Sequence, residues 1–278
     1  MRMRSLLFGL GLILPLFLSA VPAGEKTEWK SLFNGKDLSG WDTWLGKPVP
    51  EADRLNKDPK QVYTVVSTDG APAIRISGEI FGAITTRDEF ENYHLKLEFK
   101  WGEKKWPPRE KAVRDSGLLY HCVGKQGAQG TYWMTSHELQ IQEHDVGDYY
   151  SVAGPIVDVE GTRKGEESGK PTGSVTYKKG GKTWTVPSKE QGTGGRIIKA
   201  PDAEKKSGEW NVVELVCVGT TSYHVCNGKV NMILTNSRLR EGVPLTKGKI
   251  QLQSEGAEVF YRNIQVRPVS KVPDEFMK

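Results

Sequence analysis

Apolar and polar residues alternate along much of the chain. The clearest run is YHLKLEFKW, where Tyr93, Leu95, Leu97, Phe99 and Trp101 alternate with polar residues. Alternate side chains of a strand point to opposite faces, so this run predicts a half-buried β-strand. Shorter runs of the same kind recur between Gly, Asn and Pro residues; they are QVYTVVS, AIRIS, EIFGAITT, SGLLYHCV, WNVVELVCV, SYHVCNG, KIQLQSE and VFYRNIQV.

No long amphipathic helical pattern competes with these strands. Many short strands without intervening helices predict an all-β fold, with two antiparallel sheets packed as a β-sandwich or jelly roll. Seven apolar residues that alternate with polar neighbours should share one core between the two sheets: Leu95, Leu97, Phe99, Leu139, Ile141, Leu252 and Ile264.

Two stretches are expected to be long loops that leave this frame. Residues 103–115 are charged and contain prolines, and residues 158–208 are rich in Gly and Lys. Inside the second stretch, SVTYKKGGKTWTV predicts a hairpin that turns at Gly180 and Gly181. No linker divides the chain, so we expect a single domain over residues 24–278 with its core at about 29–267.

The first residues have the pattern of a secretory signal. Arg2 and Arg4 precede an uncharged apolar run, and small residues at Val21 and Ala23 suit cleavage by signal peptidase. An uncleaved anchor is the alternative, but the run is shorter than the ~20 residues that span a bilayer and contains Pro15. We expect residues 1–23 to be removed, leaving an exported periplasmic or extracellular protein without a stable membrane anchor.

Composition and charge restrict the classes of partner that the protein is expected to bind. With 278 residues, 37% of them hydrophobic and 26% charged, the chain can bury a proper core. Its formal charge is +5, of which Arg2 and Arg4 supply two positive charges. This mild balance, with basic and acidic residues interspersed, argues against nucleic acid as a partner.

The chain has three cysteines, Cys122, Cys217 and Cys226. An exported protein with an odd number cannot pair them all within one chain. Cys217 and Cys226 flank the turn predicted at Gly219 and Thr220, at different depths along its hairpin. We expect three buried thiols, with one disulfide as the alternative.

The stretch HELQIQEHDVGDYY carries the densest group of titratable side chains. Its alternation directs Leu139 and Ile141 to the core and Glu138, Gln140 and Gln142 to the outer face. Acids and a histidine follow at once, and such crowding can shift pKa values into a range useful for acid and base catalysis. The candidate catalytic residues are Glu138, Glu143 and His144, and the candidate substrate-binding residues here are Gln140, Gln142 and Asp145. A solvated strand face followed by a polar turn is the structural alternative.

An ordinary glycosidase that uses Glu138 and Glu143 as its carboxyl pair is disfavoured. A regular strand separates these two residues by about 16 Å at ~3.3 Å per residue. Paired carboxyls of glycosidases lie ~5 to 9.5 Å apart. A bulge would close only part of this difference.

Six motifs, in sequence order, resemble the 3-keto-disaccharide hydrolase domain family, formerly a domain of unknown function. They are SLFNGKDLSGWDTW, GAITTRDEFENYHLKLEFKW, DSGLLYHC, HELQIQEHD, GEWNVVELVC with HVCNGKVN, and IQLQSEGAEVFYRNIQV. The similarity runs from about Trp29 to about Arg267. It implies a jelly roll of the concanavalin A-like lectin/glucanase fold, export, and action on glycosides oxidised at C3.

The resemblance also suggests site residues. The Glu-x-Gln motif of the family falls on Glu138 and Gln140, and its Ser-Gly motif on Ser116 and Gly117. His121 stands where much of the family has an Arg after that strand. These matches add Ser116 and His121 to the candidate substrate-binding residues, and Arg87, within the second of the six motifs, is a further candidate. Trp133, beside a predicted loop, is added because aromatic faces stack on sugars.

Of two main hypotheses for function, an enzyme that cleaves glycosidic bonds is favoured, because the histidines and acids after the strand exceed what sugar binding requires. A ketone at C3 acidifies the C2 proton, so one base can start elimination of the C1 substituent, by lyase or hydrolase chemistry, from an oxidised glycoside. A non-catalytic carbohydrate-binding module would use the same polar face to bind an oligosaccharide, and a structural domain is a third alternative. A divalent metal bound by His121, His144, Glu138 and Asp145 lacks a tight ligand spacing, so no metal or other cofactor is predicted.

The mature protein is predicted to begin near Gly24. Mass spectrometry of protein recovered from the native cell should give a mass that lacks residues 1–23. Molecules that mostly retain Met1 would show that the signal is not cleaved.

Overall fold

The computed structural model describes residues 28–277. The signal predicted for residues 1–23 lies outside them. Within the described part, no helix has the length and apolar character needed to cross a bilayer. Two short 3-10 helices, Glu51–Asp53 and Asp274–Phe276, accompany the strands.

The strands confirm the all-β prediction. In chain order they are β1 Lys30–Ser31, β2 Trp41–Leu45, β3 Tyr63–Thr68, β4 Ala71–Ile76, β5 Gly82–Thr86, β6 Phe90–Glu91, β7 Tyr93–Lys105, β8 Asp115–Val123, β9 Thr135–Gln142, β10 Tyr149–Val152, β11 Ile156–Lys164, β12 Thr172–Tyr177, β13 Lys182–Val186, β14 Arg196–Ile198, β15 Asn211–Val218, β16 Thr221–Cys226, β17 Lys229–Arg238, β18 Lys247–Ser254 and β19 Ala257–Pro268.

These strands form two layers. The first layer has the order β2-β5-β18-β8-β9-β10. The second has the order β3-β4-β19-β7-β15-β16-β17. Every pair within the layers is antiparallel.

The prediction of two separate sheets is wrong in one respect, because hydrogen bonds join the layers at one side. β10 pairs with β14, β14 pairs in parallel with β12, β12 pairs with β11, and β11 pairs with β17. The result is one large curved mixed sheet. It is nearly closed, since at its open ends the Tyr63 hydroxyl of β3 donates to the Trp44 carbonyl of β2 at 3.0 Å.

The joining strands lie in the stretch that was expected to be a long loop. Residues 158–208 contain most of β11 and all of β12, β13 and β14. Their alternating apolar side chains, such as Val157, Val159 and Trp184, build a second small core with Tyr149 and Leu234. The turn at Gly180 and Gly181 is present, but β12 and β13 each pair with β11 instead of with each other. In the other expected loop, β7 continues to Lys105 and β8 begins at Asp115, so only residues 106–114 are irregular.

The main core confirms the pattern of alternation. All seven residues expected between the layers belong to one buried cluster: Leu95, Leu97, Phe99, Leu139, Ile141, Leu252 and Ile264. The three cysteines are buried and free, as expected.

Replacing Leu97 with Ala should lower the free energy of unfolding by about 2 to 5 kcal/mol, because it opens a cavity in the centre of this core. Leu55→Ala is the matched control, since Leu55 is 49% exposed. It should cost less than ~1 kcal/mol. Denaturant titration measures both values, and similar losses in the two variants would contradict the assigned facing of β7.

Candidate functional site

Strand β9 presents its polar side chains on the outer face of the first layer. Leu139 and Ile141 lie in the core, so Glu138, Gln140 and Gln142 face the other way, as predicted. The expectation that this face is open to solvent is wrong for its centre. Glu138 and Gln140 are each only 5% exposed.

The neighbouring strand β8 brings further polar groups to this row. Its register places Asp115 opposite Gln142 and Gly117 opposite Gln140. On its other side β8 pairs with β18, which contributes Gln253 to the same face. Glu255 follows directly after β18.

Gly117 allows these side chains to converge. A Cβ atom at this position would lie 2.2 Å from Oε1 of Glu138 and 2.4 Å from Oε1 of Gln253. Both contacts are too short for real atoms, so the carboxyl of Glu138 and the amide of Gln253 occupy the space above residue 117. A glycine within a strand often marks such a close approach.

Asp115, Glu138 and Glu255 form what we call the acid cluster. Arg109, from the loop that precedes β8, places Nη2 2.5 Å from Oδ2 of Asp115 and Nη1 3.6 Å from Oε1 of Glu255. Gln142 donates to Oδ2 of Asp115. Among the described residues, Arg109 makes the only ion pairs to the cluster, so one cation faces three carboxyl groups.

Burial raises the pKa of each of the three carboxyl groups. For Asp115, Arg109 and Gln142 partly oppose the rise in pKa, and for Glu255 the negative charge of Asp115 adds to it. The pKa of Glu138 rises well above its ordinary value through burial and the nearby charges of Glu255 and Asp115. Folding therefore favours the protonated form of Glu138 more than solvation does for an exposed glutamate.

Some polar atoms in the acid cluster and next to it have no hydrogen-bond partner among the described residues. Arg109 Nε, Asp115 Oδ1 and Gln253 Oε1 are buried and make no hydrogen bond within the described part of the chain. Buried polar atoms normally have partners. One donor and two acceptors in this state suit the hydroxyl or carbonyl groups of a ligand.

The other two predicted catalytic residues lie apart from the cluster. Glu143 accepts two hydrogen bonds from Arg114. Nη1 of Arg114 donates to Oε1 at 2.7 Å, and the backbone N–H of Arg114 donates to Oε2 at 2.8 Å. Burial acts to raise the pKa of Glu143, but the hydrogen bonds from Arg114 and Ser207 bring that pKa below its ordinary value. Glu143 is thus an anion that anchors the end of loop 106–114.

His144 is exposed in the turn after β9. Its backbone N donates to Glu204 at 2.7 Å, and its ring makes no hydrogen bond to any described residue. No hydrogen bond between described residues therefore links Glu138 to the His144 ring. Asp145, in the same turn, forms an ion pair with Arg196 at 2.9 Å.

Two predicted substrate-binding residues lie on the core side of β8. The Ser116 hydroxyl contacts the Gln253 carbonyl and the Tyr261 hydroxyl, each at 2.7 Å, because residue 116 alternates with Asp115 and Gly117. His121 sits at a bulge with φ 50° and packs its buried ring 5.4 Å from that of Tyr120. Burial lowers the pKa of His121 to about 4, so this ring is neutral. Neither side chain faces the acid cluster.

Trp133 and Arg87 lie further along the outer face. The Trp133 indole donates to the Gly82 carbonyl at 3.0 Å and stacks beside Phe81. Arg87 is exposed and pairs with Asp42 at 2.9 Å. Trp133 is thus fixed at the rim of the face, and Arg87 belongs to its periphery.

The structure does not bring together the metal-ligand set that the sequence raised as an alternative. Glu138 is on the outer face, His121 is in the core, and His144 is in the exposed turn. Across residues 28–277, no group of three or more His, Cys, Asp or Glu side chains is arranged to hold a metal ion.

Sequence reasoning missed Arg109, Asp115, Gln253 and Glu255. One signal was available, because KIQLQSE repeats the alternation of ELQIQE, with amides and a carboxyl on one face. The alternation did not show that β8 lies between the two runs, nor that the loop before β8 supplies Arg109.

A family model matches the chain over residues 28–267; its description is "3-keto-alpha-glucoside-1,2-lyase-like domain". The chain belongs to this family. The 3-keto-alpha-glucoside-1,2-lyase-like domain thus includes the entire acid cluster. No curated protein matches the chain.

Solved structures share the fold. Two candidate glycosyl hydrolases of Parabacteroides distasonis ATCC 8503 are 22% and 19% identical, each with a TM-score of 0.50 over 87% of this chain, and they are covered over 100% and 94% of their own lengths. The carbohydrate-binding module CBM66 of Bacillus subtilis is 9% identical, with a TM-score of 0.44 over 82% of this chain and 95% of its own. At identities of 22% and 19%, the similarity to the two Parabacteroides structures shows the fold alone.

Glu138→Gln should change how stability depends on pH. A carboxyl with a raised pKa makes the folded state lose stability as pH rises from the unfolded pKa, about 4.3, to the folded one. The glutamine variant lacks this loss, so its stability relative to the parent protein should increase steadily above pH 4. Denaturant titrations at several pH values measure the difference.

Glu143→Gln is the matched control with the opposite sign. Because the pKa of Glu143 is lowered in the folded state, the parent protein gains stability from this group as pH rises above the folded pKa. The variant should be less stable at neutral pH and approach the parent in acid. Parallel pH curves for Glu138→Gln and the parent protein would mean that folding does not raise the pKa of Glu138.

Proposed function

We propose that this protein is an exported enzyme that cleaves 3-keto-glycosides by elimination across C1 and C2. Membership in the 3-keto-alpha-glucoside-1,2-lyase-like family supports the reaction class. The observation that carries the proposal for this chain is the burial of Glu138 beside unsatisfied polar atoms. Export is proposed from the N-terminal pattern described above.

The reaction needs two proton transfers. The C3 ketone makes the C2 proton acidic, and its removal allows the bond between C1 and the glycosidic oxygen to break. The departing oxygen needs a proton, because a poor leaving group is expelled faster as an alcohol. Burial and the neighbouring acids Glu255 and Asp115 raise the pKa of Glu138, which favours its acid form, so we assign it as the general acid. Water can later add to the unsaturated product, which makes the overall result a hydrolysis.

Substrate binding is assigned to the polar row around Glu138. Gln140 of β9 and Gln253 of β18 flank Gly117 on either side. Their amides, together with Gln142 and the rim residue Trp133, would contact the hydroxyl groups and ring of an oxidised glycoside. Ligand sites usually combine a few placed hydrogen-bonding groups with apolar or aromatic side chains.

The test compares cleavage of a 3-keto-disaccharide with cleavage of the same disaccharide in its unoxidised form. The protein should release the aglycone only from the 3-keto form, and chelator should leave the rate unchanged. Glu138→Gln should lower kcat/KM by about 10² or more, the usual scale for a general acid. His144→Ala is the control and should retain full activity, since the His144 ring is exposed and makes no hydrogen bond.

Other outcomes identify other functions. Cleavage of the unoxidised disaccharide would indicate an ordinary glycosidase that uses carboxyls of the acid cluster. Binding of the sugar without any turnover would indicate a carbohydrate-binding module. Full activity of Glu138→Gln would remove Glu138 from the mechanism.

A further inference from the structure

The elimination also requires a base, and the acid cluster contains two carboxyl groups besides Glu138. These two carboxyl groups differ in how far their side chains are exposed to solvent. The Glu255 side chain is 15% exposed, whereas that of Asp115 is 4% exposed. A substrate that approaches the cluster therefore meets Glu255 before Asp115.

The two carboxyls also differ in their bonding. Asp115 accepts from Gln142 and lies 2.5 Å from Arg109. Glu255 accepts no hydrogen bond from any described residue, and its closest cationic atom, Arg109 Nη1, is 3.6 Å away. A carboxylate without direct donors keeps more of its basicity than one bound by two donors. Asp115 thus binds the guanidinium, and Glu255 is left able to accept a proton.

The backbone around Glu255 is fixed. The N–H of Gly256 donates to the Gly78 carbonyl at 3.0 Å, and its carbonyl accepts from Trp106 at 2.8 Å. Gly256 has a φ of 78°, and a Cβ there would lie 2.9 Å from Cβ of Arg109. The turn after β18 therefore packs against the loop that carries Arg109 and keeps Glu255 next to it.

We propose that Glu255 is the catalytic base that removes the C2 proton, and that Arg109 and Asp115 position it. This assignment rests on the proposed function. The C2–H bond breaks and its proton goes to Glu255, while the electron pair is held as the enolate of the C3 ketone. That pair then forms the C1–C2 double bond as the bond between C1 and the glycosidic oxygen breaks, and the oxygen takes a proton from Glu138. Nothing is oxidised or reduced.

Exchange of the C2 proton in D₂O separates the two roles. Nuclear magnetic resonance of a 3-keto-disaccharide measures deuterium incorporation at C2 independently of cleavage. Glu255→Gln should lower both exchange and turnover by about 10² or more, the scale of a lost base. Glu138→Gln should lower turnover but keep exchange within a few-fold of the parent protein.

Glu110→Gln is the matched control for the base. Glu110 is exposed in the same loop as Arg109, and its replacement should change neither exchange nor turnover. Glu255→Asp, which keeps a carboxylate, should recover part of the exchange that Glu255→Gln loses. Circular dichroism and thermal unfolding verify that each variant is folded.

The pH profile tests the positioning residues. The titratable and charged groups that face Glu255 are Asp115 of β8, Glu138 of β9 and Arg109 of the loop. The acid limb of turnover should lie well above pH 4.5, since burial and Asp115 raise the pKa of Glu255. Arg109 lowers that pKa, so Arg109→Gln should move the limb to higher pH, whereas Arg109→Lys should leave it in place. A purely structural role for Arg109 would change the rate without moving the limb.

Undiminished exchange in folded Glu255→Gln, with turnover intact in the parent protein, would overturn the assignment of the base. Absence of both exchange and turnover in the parent protein with 3-keto-disaccharides would overturn the proposed function instead.

Discussion

The ion pair between Arg109 and Asp115 is the contact on which the candidate site depends. Its 2.5 Å separation ties loop 106–114 to the first residue of β8. Among the residues that the structure describes, it also provides the only positive charge paired with the acid cluster. Three buried carboxyl groups beside one guanidinium cannot all ionise, because each further negative charge would be buried without a partner. The cluster therefore favours the retention of protons, and the proposed acid and base catalysis depends on this property.

A second polar network lies inside the fold and connects the layers. The Tyr120 hydroxyl of β8 contacts Ser222 at 2.9 Å and His224 at 3.1 Å, both on β16. His137 of β9 contacts Tyr149 and Ser237. Burial lowers the pKa values of His137 and His224, so both rings are neutral. Buried polar networks of this kind specify one packing of the layers when their members are satisfied.

The two networks explain how one strand pair serves both stability and chemistry. On β8 and β9 the residues that point inward, such as Tyr120 and His137, bind the opposite layer. The residues that point outward, such as Asp115 and Glu138, form the candidate site. A histidine next to the predicted catalytic strand can therefore be structural, and its residue type alone does not show which face it occupies. The same separation lets a change in the acid cluster alter reactivity without disturbing the contacts between the layers.

The sequence by itself determined many of the strands in the two layers, the core residues and the outward direction of Glu138, because a period of two is a local property of the backbone. It also carried the motifs by which the family is recognised. It did not show that Glu138 is buried, since burial depends on which loops cover the outer face. The partnership of Asp115, Glu138 and Glu255 with Arg109 was decided only by the tertiary structure. The register of β8 between β9 and β18, and the path of loop 106–114, bring these residues together across more than 140 positions of the chain. Glu143 and His144 follow Gln142 in the sequence but lie apart from the site, because β9 ends at Gln142.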